Sequence, residues 1–213
     1  MSNTNEERRQ PAQARSKKRV DAILGAAKSL IAEKGSARLK ISDISQRANV
    51  TPASIYQYFP NKNAITLALA TQTFDHTYQM MAQNLPGADS EIEMYQMLQG
   101  LIERFYQVYL DDPAMYDVWV SISADKSFQA LDLEDSRRMA DLVFQSIKSY
   151  YDEIHWEKIL QVGFLLAHLS GAAVRMAISV GPHEGRSIID SFKAIINPTF
   201  LNSMLKAQGV ELE

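Results

Sequence analysis

Apolar residues at Val20, Ile23, Leu24, Ala27, Leu30 and Ile31 recur at helical offsets and form one stripe. Gly35 stands where a glycine stops such a helix. A second, short helix follows, with Ile41, Ile44 and Ala48 on one face. Asn49 then supplies a turn, because asparagine tolerates the left-handed region better than other residues with a Cβ, and Val50 fills the corner. Thr51-Pro52 restarts the chain as N-cap and first helical residue. In the next turn and a half Ile55 and Phe59 point inward, which leaves Ala53, Ser54 and Gln57 outward. Pro60-Asn61 breaks the chain again, with Asn61 as cap of a long helix opened by Lys62.

The pattern stays helical beyond this point, with no strand-like alternation and no internal repeat. Leu67, Ala70, Phe74, Tyr78 and Met81 carry the Lys62 helix to Leu85, and Pro86-Gly87 ends it. Ser90 and Glu93 make a capping box, opening a helix with Tyr95, Leu98, Ile102, Phe105 and Tyr109 on its core stripe. Asp112-Pro113 starts a shorter helix with Met115, Tyr116, Trp119 and Ile122. A polar stretch at 124–127 precedes a helix through Met139, Leu142, Val143 and Ile147 to about Tyr151. Further helices are predicted over 156–180, stopped by Gly181-Pro182, over 186–196, and from Pro198 with Asn197 as cap. Residues 1–15 show no periodicity and carry Pro11, so they are expected to be a disordered basic tail.

Helices as short as those around Asn49 are not stable alone, so this stretch needs the flanking ones. Two short helices across a tight turn, the second with a small polar outer face, suit insertion into the DNA major groove. Charge agrees. Through Ile65 there are twelve basic and five acidic side chains, net +7, and the rest of the chain is −10. A basic head on an acidic body fits a polyanion partner for the head. Lys62 at a helix start is a phosphate seat. Chance clustering on a solvated surface is the plain alternative for the charge.

The run from Gly35 through Ile44, Val50, Tyr56, Tyr58-Phe59 and Lys62 resembles the N-terminal domain of the tetracycline-repressor (TetR) family of bacterial transcriptional regulators. The resemblance covers about the first third of the chain. It implies that Thr51, Pro52, Ala53, Ser54 and Gln57 lie near base edges, and that Tyr56 and Tyr58 touch backbone or bases. It also implies that Lys62 binds phosphate and that Ser42 reaches DNA from the preceding helix. The family usually has glycine where this chain has Asn49, and often hydroxyl residues where it has Leu39-Lys40; Lys40 is assigned to phosphate instead. The expected architecture is all-α. A helix-turn-helix DNA-binding domain spans 16–64 after the tail at 1–15, and a helical effector-binding and dimerisation domain spans 65–213.

Candidate chemistry in the body is sparser. Gly163, Ala167, Gly171 and Ala172 make a strip of small residues that lets a helix approach closely, either within one subunit or across a dimer. The resemblance implies a dimer through the last long helices, so Gly163, Ala167, His168, Gly171, Ala172 and Arg175 are the expected interface. Met and aromatic side chains suit a small apolar or aromatic effector. The pocket candidates are Phe74, Tyr78, Met81, Phe105, Tyr109, Tyr116, Trp119 and Phe144. The four histidines lack ligand spacing, and Asp132, Glu134 and Asp135 read as helix-start charges rather than an acid/base pair. No metal, cofactor or catalytic residue is expected.

The chain has 46% apolar residues and no cysteine. It has no uninterrupted apolar run near the roughly 18 residues of a membrane span, and no apolar signal segment. These features fit a cytoplasmic protein without membrane contact. The function expected is a ligand-responsive homodimeric regulator, most simply a repressor released from a palindromic DNA operator by its effector. The competing reading is a helical enzyme or small-molecule carrier that uses the helix-turn-helix only as scaffold.

Overall fold

The computed structural model describes residues 4–85, 90–207 and 209–210, and every regular element among them is helical. The order is α1 (Thr4–Lys34), α2 (Ile41–Arg47), α3 (Pro52–Tyr56), α4 (Lys62–Asn84), α5 (Glu91–Asp111), α6 (Pro113–Ile122), α7 (Lys126–Ile147), α8 (Trp156–Val180), α9 (Pro182–Ile195) and α10 (Pro198–Ala207).

Local chemistry sets most of these ends. Thr51 Oγ1 accepts from Ser54 N at 3.2 Å, and Asn61 Oδ1 accepts from Ala64 N at 2.9 Å. Ser90 Oγ accepts from Glu93 N at 3.2 Å, and Asn197 Oδ1 from Phe200 N at 3.0 Å. Asp125 caps α7, accepting from the backbone of Ser127 and Phe128. Asn49 has φ 52°, the left-handed turn its side chain tolerates. Pro86-Gly87, expected to end α4, lies outside the described residues.

Helix α1 begins at Thr4, inside the stretch expected to be a disordered tail. Missing periodicity reports only that a segment has no apolar face to bury. Glu, Arg, Gln and Ala are strong helix formers even without one. Helix α9 likewise starts at Pro182 rather than 186, because proline is well placed at a first helical position.

The chain forms two compact units: Met1–Gln72 with Pro113–Ala124, and Thr73–Asp112 with Asp125–Glu213. Helix α6 thus joins the first unit, although it lies well inside the span assigned to the body from sequence. The expected boundary after residue 64 falls within α4, whose chain passes from one unit to the other.

The core of the first unit is Ile23, Leu24, Ala27, Leu30 and Ile31 of α1 with Leu39, Ile44, Ile55, Phe59 and Ile65. Ala114, Met115, Val118 and Ile122 are the buried side of α6. One polar joint stands out there. Asp117 of α6 accepts from Ser36 N at 2.7 Å and from Ser36 Oγ at 2.7 Å, and Ser36 is itself buried. Gly35, just before it, has φ 82°, a conformation that a Cβ strains.

The second unit is built on α7, α8 and α9. Gly185 lets α9 close on α8, since a Cβ there would sit 2.2 Å from the Ala177 carbonyl oxygen. Glu103 of α5 accepts from Arg186 at 2.6 Å and Lys193 at 2.9 Å of α9. These hydrogen bonds, Arg186's first, hold its carboxyl below the usual carboxylate range. Glu153–Val180 is long and apolar enough to cross a membrane, with mean hydropathy 1.4. In this fold one flank of α8 packs against α7 and α9, and the other stays exposed at Leu165, Leu169, Met176 and Val180.

Candidate functional site

The turn between α2 and α3 is held from inside. Ile44 and Ile55 are fully buried and Phe59 nearly so, so α3 has no choice of which face to present. Its outer side and flanks carry Lys40, Ser42, Thr51, Pro52, Ala53, Tyr56, Gln57 and Lys62, all exposed, with Ser54 and Tyr58 half-buried. All ten residues assigned to DNA from sequence therefore lie in the first unit around one helix-turn-helix. Tyr56 is 55% exposed, a large amount for an aromatic ring with no packing role.

Several cations of the basic head are committed to holding the reader together. Arg47 of α2 donates to Ser29 and pairs with Glu33 of α1, while Lys34 pairs with Asp43. The hydrogen bond from Arg47 lowers the Glu33 pKa, and that from Lys34 lowers Asp43's. Arg19 of α1 donates to Ser54 Oγ at 3.4 Å, at the edge of hydrogen-bonding distance, so α1 reaches the outer face of α3. Sequence periodicity placed Arg19 only in a charged first turn; its reach to Ser54 was not readable there.

The Leu39-Lys40 departure has a structural sense. Leu39 is 3% exposed and anchors the chain in the core, while Lys40 occupies the N-cap of α2 without a side-chain cap. Its exposed ammonium stands at the start of that helix.

The second unit contains a cavity of about 160 Å³. Phe74 and Met81 of α4, Phe105 and Tyr109 of α5, the inner face of α7, α8 and the end of α10 enclose it. Four of the eight expected pocket residues are thus present, and four are not. Tyr116 and Trp119 lie on α6, in the other unit. Tyr78 lies under the Arg138 guanidinium, 4.4 Å from its centroid, and Phe144 meets Trp156 edge-on at 5.6 Å. Aromatic content on a helical stripe cannot tell a core position from a cavity wall.

The strip expected at the interface borders this cavity as well. Gly163, Ala167, His168, Gly171 and Arg175 line the cavity, and only Ala172 is exposed. A Cβ on Gly163 would lie 3.6 Å from Ala140 of α7, and Arg175 folds back over Gly171. Gly163 thus makes room for α7 inside the subunit, and Gly171 makes room for the Arg175 side chain.

Polar groups that sequence reading set aside gather in this cavity. Asp132, Asp135 and Ser136 lie in the second and third turns of α7, so Asp132 and Asp135 are not helix-start charges. Ser136 Oγ is 3.1 Å from His168 Nδ1, and Asp132 Oδ2 is 3.8 Å from the same nitrogen. Burial pushes the Asp135 carboxyl up to about 7 and the Tyr109 phenol to about 12. Desolvation lowers Arg175, with Asp132 and then Tyr109 opposing it. Their spacing of three and four on α7 was the signal available in the sequence.

Residues 93–204 match the family described as "Tetracyclin repressor-like, C-terminal domain", and residues 23–69 match "Bacterial regulatory proteins, tetR family". The HTH-type transcriptional regulator YvdT of Bacillus subtilis is 31% identical over 90 residues, 42% of this chain and 45% of that protein. The chain therefore spans under half the length of that curated relative. A TetR-family regulator from Streptomyces coelicolor superposes with TM-score 0.65 at 21% identity, covering 88% of this chain and 98% of that one. One from Syntrophomonas wolfei gives 0.66 at 14% identity, covering 87% and 96%. At these identities the two structures speak to the fold alone. With more than half of its length matched by the repressor-like C-terminal domain and its helix-turn-helix matched by the regulator family, the chain belongs to the tetracycline-repressor (TetR) family of bacterial regulatory proteins.

Proposed function

We propose that this protein is a homodimeric transcriptional repressor that binds a palindromic operator in the cytoplasm and leaves it when a small, largely apolar effector enters the second unit. The observation that carries this reading is the exposed face of α3 with Lys62 beside it, fixed by the buried Ile44–Ile55–Phe59 cluster. In this reading Pro52, Ala53, Ser54 and Gln57 face base edges. Thr51 and Tyr56 flank them, and Lys40, Ser42, Tyr58 and Lys62 hold phosphate. The protein acts by binding rather than by catalysis.

Dimerisation is assigned to the exposed flank of α8, where Leu165, Leu169 and Met176 are 46%, 42% and 57% exposed and Ala172 lies between them. An apolar strip this long is disfavoured in water and suits a self-complementary two-fold contact. Two readers about one DNA turn apart then match a palindrome. Release is a population shift, limited by the effector's differential affinity for the two forms. The chain crosses between the units within α4 and at both ends of α6, so these are the covalent routes for the signal.

The test is fluorescence anisotropy on a labelled duplex from the promoter region beside the gene, titrated with salt. The expected result is nanomolar, sequence-selective binding that weakens steeply with salt as several phosphates are released. Absence of a selective site at low nanomolar protein would refute it.

A further inference from the structure

We infer that the cavity of the second unit takes a small amphipathic amine, its protonated nitrogen held by Asp135 and Tyr109 and its apolar body by Phe74, Phe105 and Met139. This rests on the effector reading above and names the chemistry of its ligand.

A buried acceptor points to a donor. Asp135 Oδ1 is inaccessible to solvent and accepts no hydrogen bond. Tyr109 is 3% exposed and lines the same cavity, and Asp132 and Asp135 are among the charges that act on its phenol. A buried polar atom left without a partner is costly, and a ligand that supplies the missing donor recovers that energy.

The surrounding charges favour a cationic donor. Asp132 and Asp135 face the cavity from α7, Tyr109 from α5, and His168 and Arg175 from α8. Asp132 and Tyr109, not Asp135, are the groups whose charges act on Arg175. Arg138 of α7 acts on Asp135 but donates to Asp75 of α4 at 2.9 Å and covers the Tyr78 ring. His168 is engaged with Ser136 and sits near Asp132. Asp135 thus shares the charge of Arg138 with Asp75 and has no donor on its buried Oδ1, and burial raises its carboxyl to about 7. An entering ammonium restores its ionised form, offers several N–H groups, and lies against aromatic faces.

Size narrows the class further. A cavity of about 160 Å³ is close to the ~150 Å³ apolar cavity that accepts benzene. A single ring with a short aminoalkyl arm fits that scale; a polycyclic drug does not.

The test uses three compounds matched in shape: 2-phenylethylamine, 2-phenylethanol and phenylacetate. Calorimetric affinities for the full-length dimer are measured with each, alongside operator release by anisotropy. The amine is expected to bind at least tenfold tighter than the alcohol, with the carboxylate weakest. Asp135→Asn should erase the amine's advantage while leaving the alcohol's affinity within about twofold, and a circular-dichroism melt checks its fold. Tyr109→Phe, which keeps the packing, should narrow the advantage without abolishing it. Equal or tighter binding of the alcohol or carboxylate overturns the inference, as does binding of none of the three. Amine binding that leaves operator affinity unchanged refutes the effector reading while the amine assignment stands. Release by the carboxylate alone does the reverse.

Discussion

Removing the Asp117 carboxylate should loosen α6 from the helix-turn-helix unit by an amount the geometry fixes. Its two oxygens accept from Ser36 N and Ser36 Oγ, each at 2.7 Å, and Ser36 is 6% exposed. Hydrogen bonds to a charged partner contribute about 1.5–3 kcal/mol each, and orphaned buried donors cost about as much. Asp117→Ala should therefore destabilise the first unit by about 2–4 kcal/mol, discounted from the full sum because the joint is only partly buried. Ser36→Ala keeps the backbone bond and should cost about 1 kcal/mol. Asp117→Asn should fall between them, since its carbonyl still accepts from Ser36 N while its amide donates to the hydroxyl. The chain has two tryptophans, Trp119 on α6 in the first unit and Trp156 in the second. In a Trp156→Phe background, urea unfolding followed by fluorescence at fixed protomer concentration reports the first unit. A double-mutant cycle of Ser36→Ala with Asp117→Ala should give a coupling of about 1 kcal/mol. A coupling near zero, or Asp117→Asn as damaging as Asp117→Ala, would refute this account of the joint.

Other outcomes follow from the same structure. Gly185→Ala should lower stability by about 1–3 kcal/mol in a thermal melt, because overpacking against the Ala177 carbonyl outweighs the gain in helix propensity. Gly25→Ala, with open space at its Cβ, is the control expected to be neutral or stabilising. Lys62→Ala should weaken DNA binding on every duplex and flatten its salt dependence, whereas Gln57→Ala should relax sequence preference; competition assays separate the two. Leu169→Asp with Met176→Asp should shift sedimentation from dimer to monomer if α8 is the interface. A carboxyl raised from 3.8 to about 7 binds more protons folded than unfolded, so its contribution to stability is lost as pH rises through that window. Asp135→Asn should therefore raise unfolding free energy at pH 8, by up to about 4 kcal/mol at about 1.4 per pH unit, and by clearly less at pH 5; a pH-independent difference would contradict it.

The reader was legible in the sequence because its determinants are local. A capping Thr51 before Pro52, a left-handed Asn49, a cap at Asn61 and inward Ile55 and Phe59 act within a few residues of one another. They set the helix ends and the outward face of α3 whatever lies elsewhere. Helix count and most boundaries in the body followed from caps and prolines in the same way.

Tertiary structure alone decided what each apolar stripe meets. Periodicity states that a helix has a face to bury, not which partner buries it. Tyr116 and Trp119 went to the first unit with α6, and the small strip of α8 turned toward α7 and the cavity. Leu165, Leu169 and Met176 were left exposed on the opposite flank. Asp132 and Asp135 gained their meaning only when α5 and α8 closed over them, because loss of water, rather than residue type, makes a carboxylate seek a donor.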